Sequence, residues 1–215
     1  MAAKIGVLGS GIVAQVLAAG FSKKGYEVRM GSRDPGKLAA FAREHRLAGG
    51  TFTEAAAAGE ILVLAVKGTA AIEALALAGD EALADKIVID TTNPIDDRPP
   101  ERGVLRFFTG PNDSLMERLQ AAHPGARFVK AWNSVGNAFM VDPELPGGPP
   151  TMFFCGDDPR AKERVAGILR QFGWEPEDVG SAASARALEP LCQLWCLPGF
   201  LHNSWSHAFK LLRAV

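Results

Sequence analysis

Lys4-Ile5-Gly6-Val7-Leu8-Gly9-Ser10-Gly11-Ile12-Val13-Ala14 decides how this chain is read. A short, mostly apolar run without polar alternation ends in a glycine-rich turn, and a helical stretch continues to Lys23. A strand buried on both faces reads this way, and such burial is typical of a parallel sheet. Gly9-x-Gly11-x-x-Ala14 is the GxGxxA form of the dinucleotide fingerprint. Two glycines alone mark many turns; their place between a strand and a helix makes the match informative. Gly9 permits the tight turn, Gly11 lets the backbone approach a pyrophosphate, and Ala14 is small enough for close helix–sheet packing. The helix amino terminus then presents free N–H groups and a partial positive charge to the phosphates.

Outward from this unit the pattern repeats. Glu27–Met30, Ile61–Val66 and Ile87–Asp90 are further compact runs rich in Val, Ile and Leu. Between them lie helix candidates with physical start signals. Asp34-Pro35 sets a capping carboxylate before a proline at the first helical position; Thr53 is expected to cap Glu54–Ala58, and Thr69 to begin the next helix. Strand, helix, strand, helix is the signature of a doubly wound, mainly parallel α/β sheet of the Rossmann type. Asn93–Gly103 reads as a proline- and charge-rich loop, and Ser114 with Glu117 as a capping box. Arg127–Trp132 reads as a strand. Asp142–Pro150 holds four prolines and two glycines and marks the expected boundary between a domain over 1–141 and a smaller α/β domain over 142–215. In the latter, strands are expected at Thr151–Cys155 and Glu175–Val179, a helix after Asp158-Pro159, and a helical tail from Ser181 to the end.

Composition narrows the function classes. The 215 residues are 47 % hydrophobic and 22 % charged with a net charge of −1, so no general basic field draws nucleic acid or an anionic membrane. Three cysteines are too few for a disulfide scaffold and suit a reducing cytoplasm. Residues 1–20 superficially resemble a secretory leader, but Gly6, Gly9, Ser10, Gly11 and Gln15 interrupt the apolar run and the fingerprint explains them better. Leu188–Leu201, the greasiest segment, contains Glu189, Pro190, Gln193, Pro198 and Gly199 and is not expected to span a membrane.

The residues after the second strand bear on NAD against NADP. An acidic residue about twenty positions beyond the glycines would accept from the ribose 2′-hydroxyl of NAD. Here the strand ends Met30-Gly31-Ser32-Arg33-Asp34, with Lys37 one turn later. Ser32 and Arg33 can donate to a 2′-phosphate and Lys37 adds charge, whereas Asp34, just before Pro35, fits a helix cap better than a ribose acceptor. NADP(H) is the expected nucleotide.

With these stretches quoted, the chain resembles the NADP-dependent coenzyme F420 oxidoreductases. The similarity rests on the fingerprint, on GSRDPGK at 31–37, LVLAVKG at 62–68, IVIDTTNP at 87–94 and above all KAWNSVGNAF at 130–139, and extends through 153–180 and 185–195. The cytoplasmic domain of the animal six-transmembrane metalloreductases is a related, membrane-tethered version. LVLAVK is also similar to pyrroline-5-carboxylate reductases, but the second half of this chain does not read as their helical carboxy-terminal domain. The resemblance implies hydride transfer between the nicotinamide of NADP(H) and coenzyme F420 or another flavin-like ring, FMN or FAD included. It implies that Ser10, Ile12, Val66, Thr92 and Asn93 surround the nicotinamide, with Lys67 among the cofactor-binding residues. It also implies that Asn133, Ser134 and Val135 face the second ring, and that Leu191, Leu194 and Trp195 cover it. Lys67 stands where many relatives have proline, and Trp132 replaces a smaller residue, which leaves room for a broader second pocket or a different acceptor. The implied partners are a small-molecule redox acceptor and a second copy in a homodimer. Two other functions fit the nucleotide site: a dehydrogenase of a small imine or ketone, and a non-catalytic NADP(H) sensor.

Other candidates have bland readings. No triad, nucleophile or acid pair stands out, and no metal site is expected. Cys192 and Cys196, one turn apart in an apolar helix, read as small hydrophobes. His202 and His207 are five apart, the wrong relation for a shared helical metal site; His45 and His123 read as solvated. Asp157-Asp158 reads as a turn with a helix cap. For Trp195, Phe200, Trp205 and Phe209, core packing, a dimer interface and a cofactor lid all remain open.

Overall fold

The fold is taken from a computed structural model that describes residues 3–214. In chain order its strands are β1 (Lys4–Leu8), β2 (Glu27–Gly31), β3 (Ala48–Gly50), β4 (Ile61–Leu64), β5 (Ile87–Asp90), β6 (Arg127–Lys130), β7 (Thr151–Gly156) and β8 (Glu175–Asp178). Its helices are α1 (Ile12–Lys23), α2 (Ala39–His45), α3 (Phe52–Ala58), α4 (Ala71–Ala78), α5 (Asp80–Leu83), α6 (Leu115–Ala122), α7 (Pro159–Gln171) and α8 (Ala185–His202). All eight strands lie in one sheet in the order β3-β2-β1-β4-β5-β6-β7-β8. Neighbours are parallel except β6 and β7. The first six strands have the doubly wound order of dinucleotide-binding sheets. The expected boundary segment is the loop between Lys130 and Thr151, and the strands on its two sides pair with each other.

The lack of polar alternation in the central strands results from this layering. Ile5, Val7, Ile61, Val63, Ile89 and Val129 pack on one face with Leu17, Phe21, Val165 and Leu169 of α1 and α7. Leu62, Leu64, Val88 and Phe128 pack on the other with Ala55, Leu75, Leu119 and Leu188 of α3, α4, α6 and α8. Successive side chains still point to opposite faces, but helices cover both. Burying each of these large aliphatic or aromatic side chains is worth roughly 1.5–3 kcal/mol, which makes the two cores the main source of stability.

Local structure departs from the sequence reading at several places: β4 stops at Leu64 short of Val66, and the segment after Asp34 opens as a 3₁₀ turn over Pro35–Leu38 before α2. Thr51, not Thr53, caps α3: its hydroxyl accepts from Glu54 N–H at 3.2 Å while Glu54 accepts from Thr51 N–H at 2.7 Å. Thr53 sits inside the helix and donates to the Leu77 carbonyl. Thr69 lies within a 3₁₀ turn over Gly68–Ala70, and α4 starts after it. The sixth strand stops at Lys130 because Trp132 takes a left-handed backbone, φ 58°, which a bulky residue adopts only under strain. Helix α8 ends at His202 on a left-handed Asn203. The tail beyond runs without regular structure past the start of β7, where Thr151 N–H donates to the Phe209 carbonyl. The short β3, only three residues with two glycines, carries no strand signal in the sequence.

Candidate functional site

Doubly wound sheets bind ligands outside the carboxyl ends of the strands, where chain connections leave in opposite directions. That point lies between β1 and β4, and a cleft of about 650 Å³ opens there. Gly9, Ser10, Gly11, Ile12 and Val13 form its floor. Gly9 has φ 149°, and a methyl group on it would run into the Ala65 carbonyl, so the crossing from β1 into α1 passes against β4 with no room for a side chain. A Cβ on Gly11 would meet nothing within 4 Å. Gly11 is also the amino-terminal cap of α1 and has no side chain to satisfy the first N–H groups of the helix. Ala14 is not on the wall; it is fully buried beneath Gly9, as its packing role requires.

Ser32, Arg33 and Lys37 line one end of the cleft. Ser32 is buried, with its hydroxyl 3.4 Å from that of Ser10. Asp34 accepts from Gly36 N–H at 3.1 Å, which makes it a cap. Arg33 reaches across to Glu73 of α4 at 3.3 Å. Both groups are more than half exposed, so the pair is weak. Glu73 carries no signal of its own in the sequence; nothing but the fold brings α4 opposite Arg33.

Val66, Lys67, Thr91, Thr92 and Asn93 form the other end. Lys67 is exposed and lies 3.7 Å from Asp97. Asp96, also on the wall, is paired with Arg98, which draws its carboxyl down to about 2. Asn93 donates to the Asn133 carbonyl at 2.7 Å, and Asn133 donates back to Asn93 Oδ1 at 3.1 Å and to the Leu188 carbonyl at 2.9 Å.

Behind this wall is a buried charge cluster. Lys130 Nζ lies 2.7 Å from Asp90 Oδ2 and 3.1 Å from Glu189 Oε1, and donates to the Thr92 carbonyl at 2.6 Å. Asp90 Oδ1 accepts from the Thr92 N–H at 2.8 Å and its hydroxyl at 2.7 Å; its other oxygen meets the ammonium as an ionic contact. Glu189 accepts from Leu115 and Met116 N–H, both at 3.0 Å, at the start of α6. All three charged residues are buried. Burial alone would lower the Lys130 pKa, but Asp90 and Glu189 outweigh it and the net direction is up. The signal is present in the sequence as a carboxylate and an amine closing two apolar strands and one carboxylate in an apolar helix, but only the fold shows that the three converge.

The residues expected at a second ring do not line the cleft. Asn133, Ser134 and Val135 are buried behind it, Leu191 is half-buried on α8, and Leu194 is exposed. Trp195 is buried against Gly136, and its indole N–H donates to the His207 carbonyl. Trp132 points into the opposite core, 5.2 Å from the Phe172 ring and 6.2 Å from Phe21, so it does not shape a second pocket. His123 is buried, not solvated, with Nδ1 2.7 Å from Asp80; His207 stacks on Trp195. Asp158 caps α7 and Asp157 accepts from Ala182 N–H. Among the described residues no group of three or more His, Cys, Asp or Glu side chains could hold a metal ion, and no helix is long and apolar enough to cross a membrane.

Fold and cleft together define an α/β nucleotide-binding protein, and comparison with known proteins sharpens the class. The family described as NADP oxidoreductase, coenzyme F420-dependent, matches residues 4–94. A solved structure of a candidate F420-dependent NADP-reductase from Arthrobacter sp. FB24 is 33 % identical. It superposes with a TM-score of 0.92, and the match covers 98 % of this chain and all of that one. Metalloreductase STEAP3 of Rattus norvegicus is 34 % identical over 205 residues, 93 % of this chain but 39 % of the metalloreductase. The chain thus spans about two fifths of that relative's length. An imine reductase from Streptomyces aurantiacus, 18 % identical with a TM-score of 0.68 over 92 % of this chain and 63 % of that one, shares the fold. The chain belongs to the NADP-dependent coenzyme F420 oxidoreductase family.

Proposed function

We propose that this chain transfers hydride between NADP(H) and coenzyme F420 or another flavin-like ring. The observation that carries this reading is one continuous cleft with a bare glycine floor, cationic and hydroxyl donors at one end, and a hydrogen-bonded Thr92–Asn93 wall at the other. Gly11 and the uncapped start of α1 would hold the diphosphate; Ser32, Arg33 and Lys37 would take the 2′-phosphate. Val66, Lys67, Thr92 and Asn93 would flank the nicotinamide, the group that carries the hydride when bound. Asn133, Ser134 and Val135, with Leu191, Leu194 and Trp195, would back the second ring from behind that wall, Asn133 through its two hydrogen bonds to Asn93.

Direct transfer between two stacked rings asks the protein for position and exclusion of water more than for proton chemistry. The charged side chains of the cleft suit that demand. Arg33 with Glu73 and Lys67 with Asp97 are cross-paired, Asp96 is held by Arg98, and Asp34 is a cap. None of these is a buried, free acid or base aimed at a substrate. The test is NADPH oxidation followed at 340 nm with F420, FMN, FAD, ferric chelates and simple imines or ketones offered in turn. Turnover with F420 or a flavin supports the reading. Turnover confined to imines or ketones would replace it with a dehydrogenase, and tight binding without any turnover would replace it with a sensor.

A further inference from the structure

Three buried charges without contact to the cleft call for an account, since apolar residues of the same volume would serve stability at least as well. Their hydrogen bonds show where they act. Every polar group of Thr92 is held by the cluster: its N–H and hydroxyl by Asp90, its carbonyl by Lys130. Thr92 lines the cleft, while Asp90, Lys130 and Glu189 do not. The third member belongs to α8 and also caps α6, so the cluster ties the cleft wall to two helices on one face of the sheet. Its charges nearly balance, because the amino terminus of α6 adds partial positive charge to the single ammonium facing two carboxylates.

We propose that Asp90, Lys130 and Glu189 are positioning residues that hold Thr92, and through it Asn93, as a fixed wall for the nicotinamide half of NADP(H). The inference rests on the reading of the cleft as an NADP(H) site. It requires that disabling the cluster loosen the nicotinamide end while leaving the adenosine end intact, since Ser32, Arg33 and Lys37 sit on the far side of the glycine floor.

The experiment compares wild type with Glu189→Gln, Lys130→Met and the charge-free triple variant Asp90→Asn/Lys130→Met/Glu189→Gln. Each is titrated with 2′,5′-ADP, which carries only the adenosine half, and with NADPH, whose nicotinamide fluorescence reports its own surroundings. In every variant that folds, 2′,5′-ADP affinity should stay within about twofold of wild type. The binding-induced change in NADPH fluorescence intensity and anisotropy should fall by at least half, least in Glu189→Gln. A folded variant with the wild-type fluorescence change overturns the proposal, because the cluster would then serve the fold alone. Loss of folding in all three variants overturns it in the same way. A wild-type protein that binds neither ligand would instead remove the NADP(H) reading, a different and recognisable result.

Discussion

Gly11→Ala adds one methyl group to the floor of the cleft and should separate binding from folding. The backbone there is extended, φ −76° and ψ 176°, which any residue adopts, and the new Cβ would find no heavy atom within 4 Å. Alanine gains roughly 0.4–1 kcal/mol by restricting the unfolded chain. It loses about the same because glycine is the better helix cap. The net change in stability is therefore within about 1 kcal/mol, or a melting shift of no more than about 4 °C for a chain of this size. Binding should respond far more. The methyl stands where the diphosphate would approach the backbone, and losing one charge-assisted hydrogen bond costs roughly 1.5–3 kcal/mol, a loss of affinity of about ten- to a hundredfold. Thermal melting beside a fluorescence titration with NADPH reads both quantities on one preparation. Unchanged melting with unchanged affinity would refute the placement of the diphosphate. A collapse in melting would show that Gly11 serves the fold, as Gly9 does with its φ of 149° and its contact with Ala65.

The geometry sets three further outcomes. Thr51→Ala removes the α3 cap and should cost about 1 kcal/mol in denaturant unfolding, whereas Thr53→Ala, which loses one exposed hydrogen bond to Leu77, should cost less. Glu117 is held below its usual pKa, first by Arg186 of α8. A lowered folded value means the pair stabilises fully above the unfolded carboxyl pKa of about 4.3 and less as pH falls through the folded value. The melting difference between wild type and Glu117→Gln should therefore be present at pH 7 and shrink in strong acid; a constant difference would contradict the assignment. Burial pushes the Cys155 thiol up to about 12 and Cys192 is raised by the thiol of Cys196, which is itself lowered. A thiol reagent at pH 8 should label Cys196 first and the other two only on unfolding.

The fold is legible where local chemistry and global layering agree. The run from Lys4 to Ala14 carries strand, turn and helix in residues whose neighbours in space are also neighbours in sequence. The same holds for the cap at Asp158 and in part for two others: Ser114 accepts from Glu117 N–H, but its hydroxyl rather than its N–H donates to the Glu117 carboxylate, and Asp34 caps a 3₁₀ turn over Pro35–Leu38 that precedes α2. Legibility fails where a partner is distant or a signal is shared. Thr51 and Thr53 are both threonines before an alanine run, and only Glu54 at the third position marks Thr51 as the cap. Trp132 reads as the end of a strand because nothing in its type announces a left-handed backbone. Glu73 opposite Arg33, and the meeting of Asp90, Lys130 and Glu189, depend on sheet order, which no local pattern encodes. The residues assigned to a second ring rest on resemblance alone, and the cleft wall ends before them.

In the proposed site Arg33, with Ser32 and Lys37, recognises the 2′-phosphate of a nucleotide whose diphosphate rests on Gly11. Calorimetric titration of wild type and Arg33→Glu with NADPH and NADH tests it most directly. Wild type should prefer NADPH by about tenfold or more, because the exposed Arg33 guanidinium is shared with Glu73 and its charge-assisted bonds are weaker than buried ones. Arg33→Glu should lose this preference while NADH binding barely changes. Equal affinity of wild type for both nucleotides, or equal losses for both in the variant, would contradict it.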